Sequence, residues 1–139
     1  MWFHDAVYVP LGKDNEARSA ALAMTAIEKG GLTVQLGLSV PGLIEATSHN
    51  QPPTTVDAQL IVDIDLAILG QPQSRFEEYE RQIRQEYAMV HEDKFRLGRS
   101  AILEKFLRQP SIYHSVFFQQ QYEVSARVNL LESLRRLAP

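Results

Sequence analysis

The feature that most constrains this chain is the run Leu60-Ile61-Val62-Asp63-Ile64-Asp65-Leu66-Ala67-Ile68-Leu69, in which eight of ten residues are apolar. A helix that is apolar nearly all round belongs in a core, so two carboxylates are carried towards the interior with it. A buried carboxylate is costly unless it is paired or holds a metal. Residues two apart on a helix point about 200° away from each other, so Asp63 and Asp65 do not both face one point easily. Two readings are open at this stage. One aspartate serves a cation, or one salt-bridges an arginine while the other is exposed near the helix start.

The rest of the chain reads as helix throughout. Met1 to Tyr8, with Trp2, Phe3 and Val7, predicts a short uncapped helix broken by Pro10 and Gly12. Asp14 or Asn15 caps a second helix with Ala20, Ala21, Ala23, Met24 and Ile27 as its buried stripe, ended by Gly30-Gly31. Thr33 begins a third, expected to kink or split at Pro41. After the Asn50–Thr55 loop comes the Ala58–Leu69 helix, stopped by Gly70 and Pro72. Three more helices follow, over Ser74–Val90, Asp93–Leu107 and Ser115–Leu137, the last expected to bury Val124, Val128, Leu131 and Leu134. No segment alternates with period two. The expected fold is therefore all-α, a bundle of about six to seven helices. It is read as one domain over 1–139, with residues 1–72 as the half that carries the chemistry and 73–139 as a C-terminal helical half.

Composition removes several function classes. With 139 residues and 45% apolar content the chain has enough material for a core without staples. It has no cysteine, which rules out disulfides and thiolate metal sites and favours a reducing, cytoplasmic setting. The net charge of −3 is spread without a basic patch, so no nucleic-acid partner is expected. No apolar run reaches the ~20 residues of a membrane span, and the N-terminus does not resemble a secretory signal. Nucleotide-loop, serine-elbow, zinc-protease and dinucleotide motifs are all missing.

His4-Asp5 is the second candidate feature. An adjacent His and Asp on an apolar segment can turn a ring nitrogen and a carboxylate oxygen to one cation. With an aspartate from the Leu60–Leu69 helix they make a His-Asp…Asp set, whose N/O donors suit Mn, Mg, Fe, Co or Zn. The competing reading makes His4 a hydrogen-bonded core residue. His49 sits where the third helix meets the loop, at the edge of a potential cleft. His91 reads as solvated and His114 as ambiguous.

Four segments in order, Trp2-Phe3-His4-Asp5-Ala6-Val7-Tyr8, Asp14-Asn15-Glu16-Ala17-Arg18-Ser19-Ala20, Ala46-Thr47-Ser48-His49 and Asp63-Ile64-Asp65-Leu66-Ala67-Ile68-Leu69-Gly70, resemble successive motifs of the metal-dependent phosphohydrolases of the HD superfamily. Arg84-Gln85-Glu86-Tyr87, Ile112-Tyr113-His114 and Ala126-Arg127-Val128-Asn129-Leu130 resemble that family's C-terminal part, so the likeness runs over nearly the whole chain. It implies a divalent cation held by His4, Asp5 and Asp65, with Asp63 as fallback and His49 as an additional candidate. It implies a hydrolase in which the cation polarises a phosphoester and activates water. Glu16 is then the catalytic candidate for orienting or deprotonating that water; its alternative role is a first-turn glutamate favouring the helix N-terminus. Arg18, Arg84 and Arg99 are the candidates for binding phosphate.

The chain departs from the family pattern in three places. The family's first metal histidine lies on a helix upstream of the HD pair, and nothing here precedes Met1. Paired histidines are replaced by His49-Asn50, and Val9 stands where an aspartate is usual. The resemblance thus implies a domain truncated at its N-terminus, with weak or absent turnover. It also implies a homo-oligomer that covers Trp2 and Phe3. The expected substrate is a small phosphorylated metabolite or nucleotide. The competing function is a non-catalytic, HD-like ligand-binding or oligomeric interaction domain.

Overall fold

The computed structural model describes residues 3–10, 12, 14–32, 34–49 and 51–138, with the backbone alone for 34–38. Among the described residues there are six α-helices, one 3₁₀ segment and no strand. The helices are α1 (Asn15–Lys29), α2 (Val34–Ala46), α3 (Val56–Asp65), α4 (Gln73–Glu86), α5 (Glu92–Leu107) and α6 (Val116–Leu137), and the 3₁₀ segment spans Leu66–Gly70. None of these helices is long and apolar enough to cross a membrane. The chain divides into two compact units, Met1–Asp65 and Leu66–Pro139. The division falls inside the apolar run, where α3 tightens into the 3₁₀ segment, upstream of the Gly70–Pro72 stop.

In the N-terminal unit α1 packs on α2, and α2 on α3. The α1–α2 contact is built from small residues, with Ala20, Ala23 and Ile44 buried and Val40 against them. Ala21 proves exposed. Gly30-Gly31 closes α1 as expected: Leu32 N–H donates to Ile27 O and Gly31 N–H to Glu28 O, with Gly31 at φ 62°. This is the six-to-one, five-to-two closure that needs a left-handed residue, and glycine takes it without strain. Pro41 neither splits nor ends α2, which runs through it to Ala46. A proline removes one i→i−4 bond, and the packing of α2 against α1 and α3 holds the helix across that gap.

The expected helix before Tyr8 does not form over the described residues. Residues 3–7 are turns and bends, with one tight turn from Ala6 N–H to Phe3 O. Met1 and Trp2 lie outside the described residues, and with them the expectation of a covered Trp2. The physical reason is competition for backbone groups. Val9 N–H donates to Asn15 Oδ1 and Asn15 Nδ2 donates to Val9 O, both at 3.0 Å. Val7 N–H donates to Ser19 Oγ at 3.0 Å, and Ser19 Oγ–H points back to Val7 O at 3.3 Å. Asn15 and Ser19 are buried on α1, so the segment is pinned to α1 by side chains instead of hydrogen-bonding to itself.

In the C-terminal unit the 3₁₀ segment is the centre. Leu66 and Leu69 are buried, Tyr113 Oη donates to Leu66 O, and Asn129 Nδ2 donates to Leu69 O and Gln71 O. A Cβ on Gly70 would lie 2.5 Å from Tyr122 Cβ, so only glycine lets α6 approach this closely. The face that α6 buries is Phe118, Ala126, Asn129, Leu130 and Ser133. That corrects the expected stripe, since Val124, Val128 and Leu131 are all exposed. Asn129 must reach the 3₁₀ carbonyls and Ser133 must reach Glu80, at 2.8 Å; those polar bonds fix the rotation of the helix against its own apolar pattern. The starts of the helices also differ from expectation. Pro72 occupies the N-cap position of α4, and His91 caps α5 by accepting from Asp93 N–H. Ser115 caps α6, accepting from Phe118 N–H.

Candidate functional site

The N-terminal unit gathers two histidines and two aspartates from three places in the chain. His4 and Asp5 stand in the turn at residues 3–5, His49 follows the end of α2, and Asp65 is the last residue of α3. His4 Nε2 lies 3.0 Å from Asp5 Oδ2 and 3.2 Å from Asp65 Oδ1, and His49 Nε2 lies 3.1 Å from the other oxygen, Asp65 Oδ2. Asp65 therefore spans two imidazoles with its two oxygens. His4, His49 and Asp65 are about a quarter exposed or less, while Asp5 is 63% exposed. The cluster has one open side, at Asp5.

Local structure explains each placement. His4 and Asp5 are presented by a turn, and the chain beyond them is tied to Ser19 and Asn15 of α1. Thr47 is buried and donates its hydroxyl to Ile44 O at 2.6 Å. The backbone then tightens, with Ser48 N–H on Glu45 O and His49 N–H on Ala46 O. His49 takes φ 53°, the only positive φ of a non-glycine residue among those described. The left-handed region costs a side-chain-bearing residue roughly 1–2 kcal/mol, and such strain concentrates at functional positions. α3 starts on Thr55, whose hydroxyl accepts from Ala58 N–H, and ends where Asp65 meets the cluster. The two aspartates of the apolar run are separated as the helical angle requires: Asp63 is fully buried inside the unit, whereas Asp65 stands at the site.

Among the described residues no group of three or more His, Asp or Glu side chains is placed so that it could hold a metal ion as it stands. The four groups form a cluster in which Nε2 of each imidazole faces a carboxylate directly.

A cleft of about 480 Å³ opens in the same unit, between the first turn of α1, the end of α2, the loop that follows and the start of α3. Ser48, one residue before His49, is part of its wall, and so is Glu16. Glu45 and Gln51 also line it; the sequence reading missed both, because neither stands in a motif. Arg18 is exposed on α1.

The other two arginines have structural partners in the C-terminal unit. Arg84 donates to Glu92 at 3.0 Å and to the carbonyls of Tyr87 and Val90, and lies over the Phe95 ring. Arg99 is buried, ion-paired with Glu80 and stacked near Tyr79. Burial alone would lower the Arg99 pKa, but Glu80 and Tyr79 more than offset this and raise it. These forks close the α4–α5 junction, and the expectation that Arg84 and Arg99 hold phosphate is not carried further.

Comparison of the chain with protein-family models, with curated proteins and with solved structures found no match.

Proposed function

We propose that the N-terminal unit is the cation site of a metal-dependent phosphohydrolase of the HD type, acting on a small phosphomonoester. The observation that carries this reading is the position of Asp65, with one oxygen on His4, the other on His49, and Asp5 alongside. The donor set, two imidazoles and two carboxylates, suits a divalent first-row cation or magnesium. The His4–Asp5, His4–Asp65 and His49–Asp65 separations of 3.0–3.2 Å match the roughly 3–4 Å expected between atoms that share one ion at ~2.0–2.3 Å. The hydrogen bonds now joining the imidazoles to the carboxylates would have to give way to the ion. His49, strained and aimed at Asp65, gives this chain a second imidazole of its own.

A bound divalent cation supplies Lewis acidity towards a phosphoryl oxygen and makes a water acidic enough to act near neutral pH. The protein's part is to hold and orient. His4, Asp65 and His49 would hold the ion, and the more exposed Asp5 stands on the side open to substrate. Glu16, on the cleft wall, is the group for accepting a proton from the attacking water. Arg18 is the remaining arginine candidate for phosphate.

The test is calorimetric titration with Mn and Mg, followed by hydrolysis of a panel of phosphomonoesters and nucleotides. We expect saturable Mn binding and metal-dependent turnover, with Asp65→Ala lowering cation affinity at least about 10–100-fold. Absence of binding by the wild-type chain, or turnover that survives Asp65→Ala, defeats the reading.

A further inference from the structure

α6 has two faces, and the C-terminal unit uses one of them. Phe118, Ala126, Asn129, Leu130 and Ser133 are buried against the unit. On the opposite side stand Phe117, Gln121, Val124, Val128, Leu131 and Arg135, all exposed. The four apolar members are between 47% and 77% exposed. Spacings alternating between four and three residues make the seam of a helix pair. At 100° per residue the six positions fall within about 40° of one line, which runs for about 27 Å along the helix. Single exposed apolar residues are ordinary on a protein surface, whereas a continuous stripe of them marks an interaction face. The exposed residues at its margin, Gln120 and Ser125, are neutral, and the stripe carries one charge, Arg135.

We infer that this stripe is the interface with a second copy of the chain, the two α6 helices packing antiparallel about a two-fold axis at the level of Ala126. The occupant follows from the order of the residues, because the stripe is its own complement. Under that axis Val124 meets the partner's Val128, and the pair occurs twice. Leu131 meets the partner's Gln121, whose aliphatic stem covers it while the amide stays at the wet margin. Arg135 meets the partner's Phe117, so the one charge of the stripe lies over the negative face of an aromatic ring. A parallel pair would instead set Arg135 against the partner's Arg135. Every position thus finds an apolar or charge-complementary counterpart from the same sequence, as an isologous interface requires. The inference concerns the C-terminal unit and is independent of the cation site.

The experiment is sedimentation equilibrium on the full chain over about 1–100 µM, where a self-association of this kind is concentration-dependent. We expect a reversible dimer of micromolar affinity, as suits a single helix pair. Val128→Glu should weaken it at least about tenfold while leaving helical circular dichroism unchanged, since Val128 is exposed in the separate chain. The absence of cysteine gives a test of direction. Under mild oxidation an equimolar mixture of Val124→Cys and Val128→Cys should form the mixed disulfide faster than either variant links to itself, because only residues of one layer come close enough. A chain that stays monomeric throughout overturns the inference and leaves the face to a different partner. A dimer indifferent to Val128→Glu overturns it by placing the interface elsewhere, and faster self-linking by each single variant overturns the antiparallel arrangement.

Discussion

The two units handle buried charge in opposite ways. In the C-terminal unit the inward-facing carboxylates are satisfied by fixed donors. Glu123 accepts from the backbone N–H of Ile112 and Tyr113, from Ser111 Oγ and from Arg127, while Glu80 accepts from Arg99 and Ser133. In the N-terminal unit Asp65 meets two imidazoles, groups that can release or exchange what they hold. Cores differ in the same sense. Of the twelve aromatic residues three belong to unit one and nine to unit two. Tyr113, Phe118 and Tyr122 pack on one another in the second, while Ala20 and Ala23 with Ile44 make the first. A large aromatic core with saturated ion pairs is built to be stable. A small-residue core with a strained histidine and exchangeable polar partners suits a site.

The largest effect expected from breaking this contrast is at Glu123. Glu123→Ala strips the acceptor from two backbone N–H groups, Ser111 and Arg127, and should destabilise the C-terminal unit by about 3 kcal/mol. Urea unfolding followed by tyrosine signal measures it, since four of the five tyrosines lie in that unit. Gly70→Ala comes next. The added Cβ meets Tyr122 Cβ and its carbonyl oxygen, and overpacking of this kind costs about 1–3 kcal/mol. An unchanged unfolding midpoint would show that α6 can retreat.

Acid should separate Glu123 from an ordinary carboxylate. Burial pushes its pKa up, but the N–H groups of Ile112 and Tyr113, with Ser111 and Arg127, more than reverse this and hold it below its ordinary 4.5. A folded-state pKa lower than the unfolded one gives stability that is present above the unfolded value and lost as pH falls through the folded one. Stability of the C-terminal unit should therefore decline below about pH 4.5, and Glu123→Gln should flatten that decline. Equal acid sensitivity in wild type and variant would remove Glu123 as the cause.

The smallest stability effect, and the most informative for function, is at His49. His49→Gly relieves the positive φ while losing the bond to Asp65 and loosening the unfolded chain. The net change should stay within about 1 kcal/mol. Mn affinity should nevertheless fall measurably in calorimetry. A variant that binds Mn like the wild type would place His49 outside the cation site.

Much of the fold was readable from local pattern. The Gly30-Gly31 stop, the helix start near Ser115 and the apolar run each carry a signal within a few residues of the event they cause. The failures have a common source. The helix expected before Tyr8 was lost because Asn15 and Ser19, distant in sequence, take its backbone groups. The α6 face was misread because Asn129 and Ser133 are drawn inward by carbonyls and a carboxylate from other elements. Hydrophobic spacing does not register a polar side chain that earns burial through a distant partner. His91 is solvated as the sequence suggests, 75% exposed, and in addition caps α5.

For the candidate site the division is similar. The sequence by itself determined that two aspartates travel into an apolar helix and point apart, because helical geometry leaves no other outcome. It also supplied His4-Asp5 and His49 as nitrogen and oxygen donors. Only the tertiary structure decided that Asp65 faces His4 and His49 while Asp63 is sealed inside. It alone set Glu16 and Glu45 around one cleft. The physical reason is that direction along one helix is a local property of the backbone, whereas convergence of three segments depends on how separate elements pack, and no spacing within a single element encodes that distance.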